Sequence, residues 1–130
     1  MIAKSGVLFI RESQMEAFAQ PARQRLIDSA VERIFTLLPE VRDGMNRSEV
    51  EDSVRLAMSK SASYGVTDWP DVIRYLDVMY MLGFEFDQDL RYAWAPPILT
   101  GAGTAGAEKM TKLTEMALQE LERAEEPGQD

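Results

Sequence analysis

The sequence of 130 residues contains no cysteine and no histidine. Without cysteine there can be no disulfide, thiolate nucleophile or thiolate metal site. Histidine is the side chain whose unperturbed pKa lies nearest neutrality, and it is the commonest metal ligand. Its absence excludes Ser-His and Cys-His nucleophile systems. We therefore expect a protein that is not an enzyme, with no catalytic residue, metal site, cofactor or small-molecule substrate.

Basic residues are scarce, because 14 Lys and Arg stand against 22 Asp and Glu, for a net charge of −8. A nucleic-acid binder needs a positive surface to displace counterions from phosphates. Docking on an anionic membrane likewise relies on basic segments. The acidic balance argues against both kinds of partner, and it favours solubility or a basic protein partner.

Long apolar runs are missing as well. A transmembrane helix needs about 18 or more apolar residues in succession, and no stretch approaches that length. The apolar run near the N-terminus covers only residues 7–10, and no small-residue cleavage pattern follows it. These features predict a cytoplasmic protein. Residues 7–10 are interpreted as a brief strand or an extended segment, and residues 1–9 as an N-terminal arm.

Helical periodicity is what the sequence has in abundance. Hydrophobic residues make up 45% and charged residues 28% of the chain, as in globular proteins. We predict an all-α fold, a single compact bundle of about five helices with an ordered irregular aromatic connection before the last helix. The bundle would span residues 10–100, with a Gly/Ala hinge at 101–106. A C-terminal helix at 107–124 would pack on the same domain, before a frayed tail at 125–130.

Proline and glycine mark the first predicted boundaries. A short helix is expected over residues 12–19 and a second from Pro21, because proline suits the first turn of a helix. One long helix kinked at Pro21 is the alternative. Pro39 and Gly44 are expected to close the second segment.

Capping signals define the next two helices. Ser48 and Glu51 have the spacing of a capping box, and Gly65 suits the left-handed position that follows a helix. Residues 67–68 offer a cap for the following helix, which Gly83 ends. That helix is apolar around most of its circumference, which predicts a central position in the bundle.

The stretch from residue 84 to 100 has no steady period, and Pro96 and Pro97 are expected to break any helix there. An ordered irregular connection is expected, with one helical turn inside it as an option. Its aromatic residues are interpreted first as a core plug at one end of the bundle. The second interpretation is an anchor surface for a protein partner, since Trp and Tyr are frequent binding hot spots. The residues expected to contact that partner are Phe84, Phe86, Tyr92, Trp94, Ile98 and Leu99, with Met110 and Leu113 of the last helix.

Two short motifs resemble binding sites but lack the required context. Residues 85–89 place three carboxylates at alternating positions, yet an EF-hand loop would need glycine and glutamate where Tyr92 and Ile98 stand. A solvated acidic turn or a helix cap is expected instead. Residues 101–106 match a dinucleotide fingerprint without a preceding buried strand, and are interpreted as a flexible hinge.

Four short motifs carry a resemblance: Ile10-Arg11-Glu12-x-Gln14-x-x-Ala17-Phe18, Ala62-x-Tyr64-Gly65-Val66, Met79-x-x-Leu82-Gly83-x-x-Phe86-Asp87-x-Asp89 and Trp94-Ala95-x-x-Ile98-Leu99. Together they resemble small bacterial proteins encoded beside the spike-tip and toxin genes of type VI secretion systems. The resemblance spans about residues 10–120, and the chain departs from the family pattern at Leu90 and Ala93, where proline is typical. It implies an accessory co-chaperone or adaptor whose partner is a larger chaperone, an effector or a spike-tip protein.

Three hypotheses for function follow from these observations. The first is a protein-binding accessory factor, a co-chaperone or adaptor for loading type VI secretion effectors. The second is an acidic immunity protein or antitoxin that neutralises a toxin by direct binding. The third is a carboxylate-based hydrolase or lyase, which would require a deep pocket lined by at least two acids with strongly shifted pKa values.

Overall fold

The computed structural model describes residues 21–125, and within that range every regular element is helical and no strand occurs. This confirms the predicted all-α class. The predictions for the arm at 1–9, the helix at 12–19 and the tail beyond 125 lie outside the described residues. The helices are α1 (residues 21–37), α2 (Val41–Gly44), α3 (Arg47–Ser63), α4 (Trp69–Leu82), α5 (Ala95–Leu99) and α6 (Gly106–Glu125). Two 3-10 turns, Phe86–Gln88 and Leu90–Tyr92, precede α5.

The chain divides into two compact units, one ending at Glu51 and the other beginning at Asp52. In the described part of the first unit, α1 is amphipathic and buries the residues that recur at intervals of three and four. An ion cluster on its exposed side joins α1 to the start of α3, where Arg47 contacts Glu32 at 2.6 Å and Asp28 at 3.4 Å. The buried side chains of α1 are Ile27, Ala30, Val31, Ile34 and Phe35.

Helix α1 ends at residue 37, two positions before Pro39, because the residue that precedes a proline is disfavoured in helical conformation. Pro39 and Gly44 were expected only to end this helix, and the short helix α2 between them was not predicted. This single turn is stabilised by the backbone bond from Met45 N–H to the Val41 carbonyl (2.8 Å).

The predicted capping box at Ser48 and Glu51 is wrong, and the true one lies two residues earlier. The Asn46 side-chain oxygen accepts the Glu49 N–H at 2.8 Å, and the Glu49 carboxylate accepts the Asn46 N–H at 2.9 Å. Both patterns satisfy the same rule, an oxygen-bearing cap three residues before Glu. Asn46 prevails, so α3 begins at Arg47.

In the second unit, glycine ends α3 and α4 as predicted. Gly65 adopts a φ of 78° two residues after the end of α3, and Gly83 adopts a φ of 122° directly after α4. Asp68 occupies the N-cap position of α4 with extended backbone, without a side-chain hydrogen bond to the helix, and Pro70 lies in the first turn.

The core of the second unit lies between α4 and α6, with α5 against α6. Helix α6 contributes Met110, Leu113 and Ala117, all fully buried at helical spacing. Because α5 also contacts the first 3-10 turn, the connection between α4 and α6 is anchored to this core. The buried side chains of α4 are Asp71, Val72, Tyr75, Leu76, Val78, Met79 and Leu82.

Candidate functional site

The connection between Gly83 and Gly101 is more regular than its sequence suggests. It contains two 3-10 turns and then α5, in whose first turn Pro96 and Pro97 lie. The prediction that these prolines break any helix is therefore wrong. The first helical positions donate no intrahelical bond, so the missing N–H of proline costs nothing there.

Four of the eight residues expected to contact a partner are fully buried. Phe86 packs beside Tyr75, with ring centroids 5.1 Å apart, and Leu99 of α5 is equally buried. Met110 and Leu113 form part of the buried face of α6. A partner cannot touch these four side chains while they are buried, and their packing corresponds to the core-plug interpretation.

The other four, Phe84, Tyr92, Trp94 and Ile98, are partly exposed. Phe84 contacts Tyr80 edge to face, while Tyr92 and Trp94 form a tilted pair with centroids 6.0 Å apart. The aromatic segment is therefore divided between core and surface. Trp94 is exposed only in part, since its ring nitrogen is buried.

Leu90 is the residue that sequence reasoning missed, with 93% of its surface exposed. It opens the second 3-10 turn, which Asp89 caps by accepting the Arg91 N–H at 2.9 Å. The Arg91 guanidinium also pairs with the Asp89 carboxylate at 2.8 Å and lies 5.3 Å from the Tyr92 ring centroid. We call Leu90, Arg91, Tyr92 and Trp94 the Leu90 tip. One signal was available, since a lone leucine between two charged residues is not a core pattern.

Beneath the tip lies a buried ionic cluster that connects the segment to α3. The Asp87 side chain is 2% exposed and accepts two bonds, from Lys60 Nζ at 2.8 Å and from the Tyr64 hydroxyl at 2.6 Å. Lys60, whose side chain is 14% exposed, also donates to Glu85 at 2.8 Å. The expected solvated acidic turn is thus wrong at Asp87. A carboxylate can be buried there because Lys60 of α3 and Tyr64, the residue that follows this helix, supply two donors.

A second lysine supports this cluster from α6. Lys109 is buried and donates to the backbone carbonyl of Tyr64 at 2.8 Å. Tyr64 stacks on Tyr75, whose buried hydroxyl has no hydrogen-bond partner among the described residues. Two lysines and one tyrosine therefore hold the end of α3, the start of α6 and the segment before the tip together.

The surroundings shift the pKa values of the groups in this cluster. Burial and the hydrogen bond to Asp87 raise the pKa of Tyr64 to about 12. Burial lowers the pKa of Lys60, but its bonds to Asp87 and Glu85 outweigh that effect and leave the pKa raised. At the tip, the side-chain and backbone bonds from Arg91 lower the pKa of Asp89. The charged lysine and the neutral tyrosine are the forms that fit the folded cluster.

The glycine motif at 101–106 contributes to helix packing. Gly106 is the first residue of α6, and its Cα faces the backbone of Val66, so that an added Cβ would lie 3.5 Å from Val66 Cα. The preceding element is the short helix α5 rather than a strand. This context is not that of a dinucleotide fingerprint.

Among the acidic side chains of residues 21–125, no group of three or more is arranged to hold a metal ion. None of the helices within the same range combines the length and apolarity that a membrane crossing requires. No protein-family model matches the chain, and neither a curated protein nor a solved structure is significantly similar to it.

Proposed function

We propose that this chain is a protein-binding accessory factor that uses the Leu90 tip as its contact surface. The observation that carries the proposal is the exposure of Leu90, at 93%, on a segment that buried Phe86 and Ala95 flank. Single exposed leucines are common on protein surfaces and need no function. Here, however, the leucine stands beside Arg, Tyr and Trp, the residue types that dominate binding hot spots.

The tip is attached to a fixed base. Phe86 precedes it in the core, and Ala95 and Leu99 follow it as fully buried residues. A contact surface that is ordered before binding loses less conformational freedom when the partner arrives, which favours affinity. This arrangement supports a partner that offers an apolar pocket for Leu90 and a flat surface for Tyr92.

The specific role we propose is that of a cytoplasmic co-chaperone or adaptor for loading type VI secretion effectors. This part of the proposal rests on the motif resemblance, which includes the Phe86-Asp87-x-Asp89 motif before Leu90 and the Trp94-Ala95 motif that begins within the tip. The partner would be a larger chaperone, an effector or a spike-tip protein. An adaptor of this kind needs no catalytic group, in keeping with a sequence that lacks His and Cys.

Co-purification with the products of neighbouring genes tests the proposal. A Leu90→Ser variant should lose the captured protein, because it removes the apolar contact without disturbing the core. Leu118→Ser is the matched control, since Leu118 is an exposed leucine on α6, away from the tip in sequence. If the wild-type chain captures no neighbouring product, or if both variants behave alike, the proposal fails.

The second candidate function is that of an immunity protein, favoured by the net charge of −8. Exposed Glu115 and Glu122 add to an acidic surface on α6. An immunity protein would abolish its toxin's activity in vitro, and its affinity would fall as salt rises. Tip-mediated apolar binding is expected to be far less sensitive to salt, so a salt series separates the two candidates.

A further inference from the structure

We infer that Lys60 is a positioning residue for the Leu90 tip, and that its contacts with Glu85 and Asp87 keep the contact surface ordered before a partner binds. The inference rests on the proposed function, because that proposal makes the tip a contact surface. Its physical basis is that the contacts of Lys60 with Glu85 and Asp87 hold residues 85–92 against α3.

The hydrogen bonds within the segment give it shape but do not attach it to α3. Asp89 N–H bonds to the Phe86 carbonyl at 3.2 Å, and Tyr92 N–H bonds to the Asp89 carbonyl at 3.0 Å. Both bonds span three residues, and isolated 3-10 turns are weak, so these bonds are expected to open more often once the segment leaves α3.

Attachment comes from α3 through side chains. Lys60 bridges Glu85 and Asp87 with two contacts of 2.8 Å, and Tyr64, one helical turn further on, donates to the other oxygen of Asp87 at 2.6 Å. The apolar attachment is Phe86 against Tyr75. Leu90 follows Asp87 by three residues, so the position of the Asp87 carboxylate determines where the second turn begins.

Loss of the Lys60 charge would leave the Asp87 carboxylate buried with a single donor. A buried carboxylate without a counter-charge is strongly disfavoured, and the nearest relief is displacement of its segment into water. The tip would then spend part of its time away from the folded position. Apparent affinity for a partner falls by the fraction of time for which the competent conformation is lost.

The test measures amide hydrogen exchange in the complete chain, without any partner. Lys60→Met is compared with Lys112→Met, which removes a lysine from the exposed i,i+4 pair with Glu108 on α6. We expect exchange at the Asp89 and Tyr92 amides to speed up about tenfold in Lys60→Met, with α4 interior amides unchanged. Lys112→Met should resemble wild type, and Lys60→Arg should restore most of the protection.

Equal exchange rates in Lys60→Met and wild type would overturn the inference. It would also be overturned if exchange sped up by the same factor at the amides of residues 85–92 and at those of α4. If Lys60→Met does not fold, Tyr64→Phe serves instead, because it removes one of the two bonds to Asp87. Faster exchange confined to residues 85–92 would then support the inference, and unchanged exchange would overturn it. No partner is used in the hydrogen-exchange test. A negative exchange result therefore does not affect the co-purification test, and a negative co-purification result does not affect the exchange result.

Discussion

Tyr64 and Tyr75 stack with ring centroids 6.3 Å apart, yet their hydroxyls have different surroundings. The Tyr64 hydroxyl donates to Asp87 at 2.6 Å, whereas the Tyr75 hydroxyl has no hydrogen-bond partner among the described residues. Two similar rings in contact thus provide a matched pair in which one polar group is satisfied and the other is not.

Phenylalanine substitutions at these two positions should have opposite effects on stability. Tyr64→Phe removes a bond to a buried carboxylate and should lower the free energy of unfolding by about 1.5–3 kcal/mol. Tyr75→Phe removes a buried unsatisfied hydroxyl and should leave stability unchanged or raise it by about 1 kcal/mol. Urea denaturation followed by circular dichroism measures both values. Equal losses in the two variants would contradict the assigned hydrogen bonding.

Stability should fall at alkaline pH through the same cluster. The pKa of Tyr64 is raised from 10.0 to about 12, so folding favours its neutral form. That contribution is fully present below pH 10 and is lost as the pH rises from 10 to 12. Lys60, whose pKa is also raised, acts in the same direction, because the fold favours its charged form.

Denaturation midpoints measured at pH 9 and pH 11 test this expectation. The wild-type chain should lose more stability over this interval than Tyr64→Phe, which lacks the titrating phenol. Absorbance at 295 nm provides a second measurement, since tyrosinate formation at Tyr64 should be delayed until the protein unfolds. A pH dependence identical in the two proteins would show that Tyr64 titrates as it does in an unfolded chain.

Sequence periodicity was sufficient to predict the all-α class and the long helices. Glycines ended α3 and α4 as expected, with Gly65 at a positive φ of 78° and Gly83 in a more extended conformation, at φ 122° and ψ 152°. Such signals are local, because they depend on the φ of one residue or on spacing along one helix. They can therefore be found without knowledge of tertiary contacts.

The site could be predicted only in part, because burial of a charged residue depends on distant partners. Asp87 looked like a member of a solvated acidic turn until Lys60 and Tyr64, more than 20 residues earlier, proved to face it. In the same way, Phe86 and Trp94 could not be divided between core and surface from sequence alone. Their shared aromatic character predicts a tendency to pack or to bind, and tertiary contacts decide between them.

The position of the α3 cap is testable because the sequence offered two candidates. Asn46→Ala removes the side-chain oxygen that accepts the Glu49 N–H at 2.8 Å, and should cost about 1 kcal/mol of stability. Ser48→Ala, inside the first turn, should change stability by less than about 0.5 kcal/mol. Thermal or urea denaturation distinguishes the two, and a larger loss for Ser48→Ala would restore the capping box first expected there.

Alanine substitutions at two glycines near the start of α6 distinguish the effect of side-chain packing from the effect of backbone conformation. Gly65 has a φ of 78° and no side-chain crowding, with Lys109 Nζ 4.0 Å from an added Cβ. Gly65→Ala should therefore cost about 1–2 kcal/mol through backbone strain alone. Gly106 begins α6, and an added Cβ would meet the Val66 Cα at 3.5 Å, an ordinary contact distance.

Gly106→Ala should accordingly be tolerated and should raise stability by about 0.4–1 kcal/mol, because alanine restricts the unfolded chain more than glycine does. The comparison also tests the hinge predicted at 101–106. If Gly106 were part of a hinge that must leave the helical conformation, Gly106→Ala would instead destabilise the protein. Denaturation curves of the two variants decide the matter, since the helical position predicts effects of opposite sign.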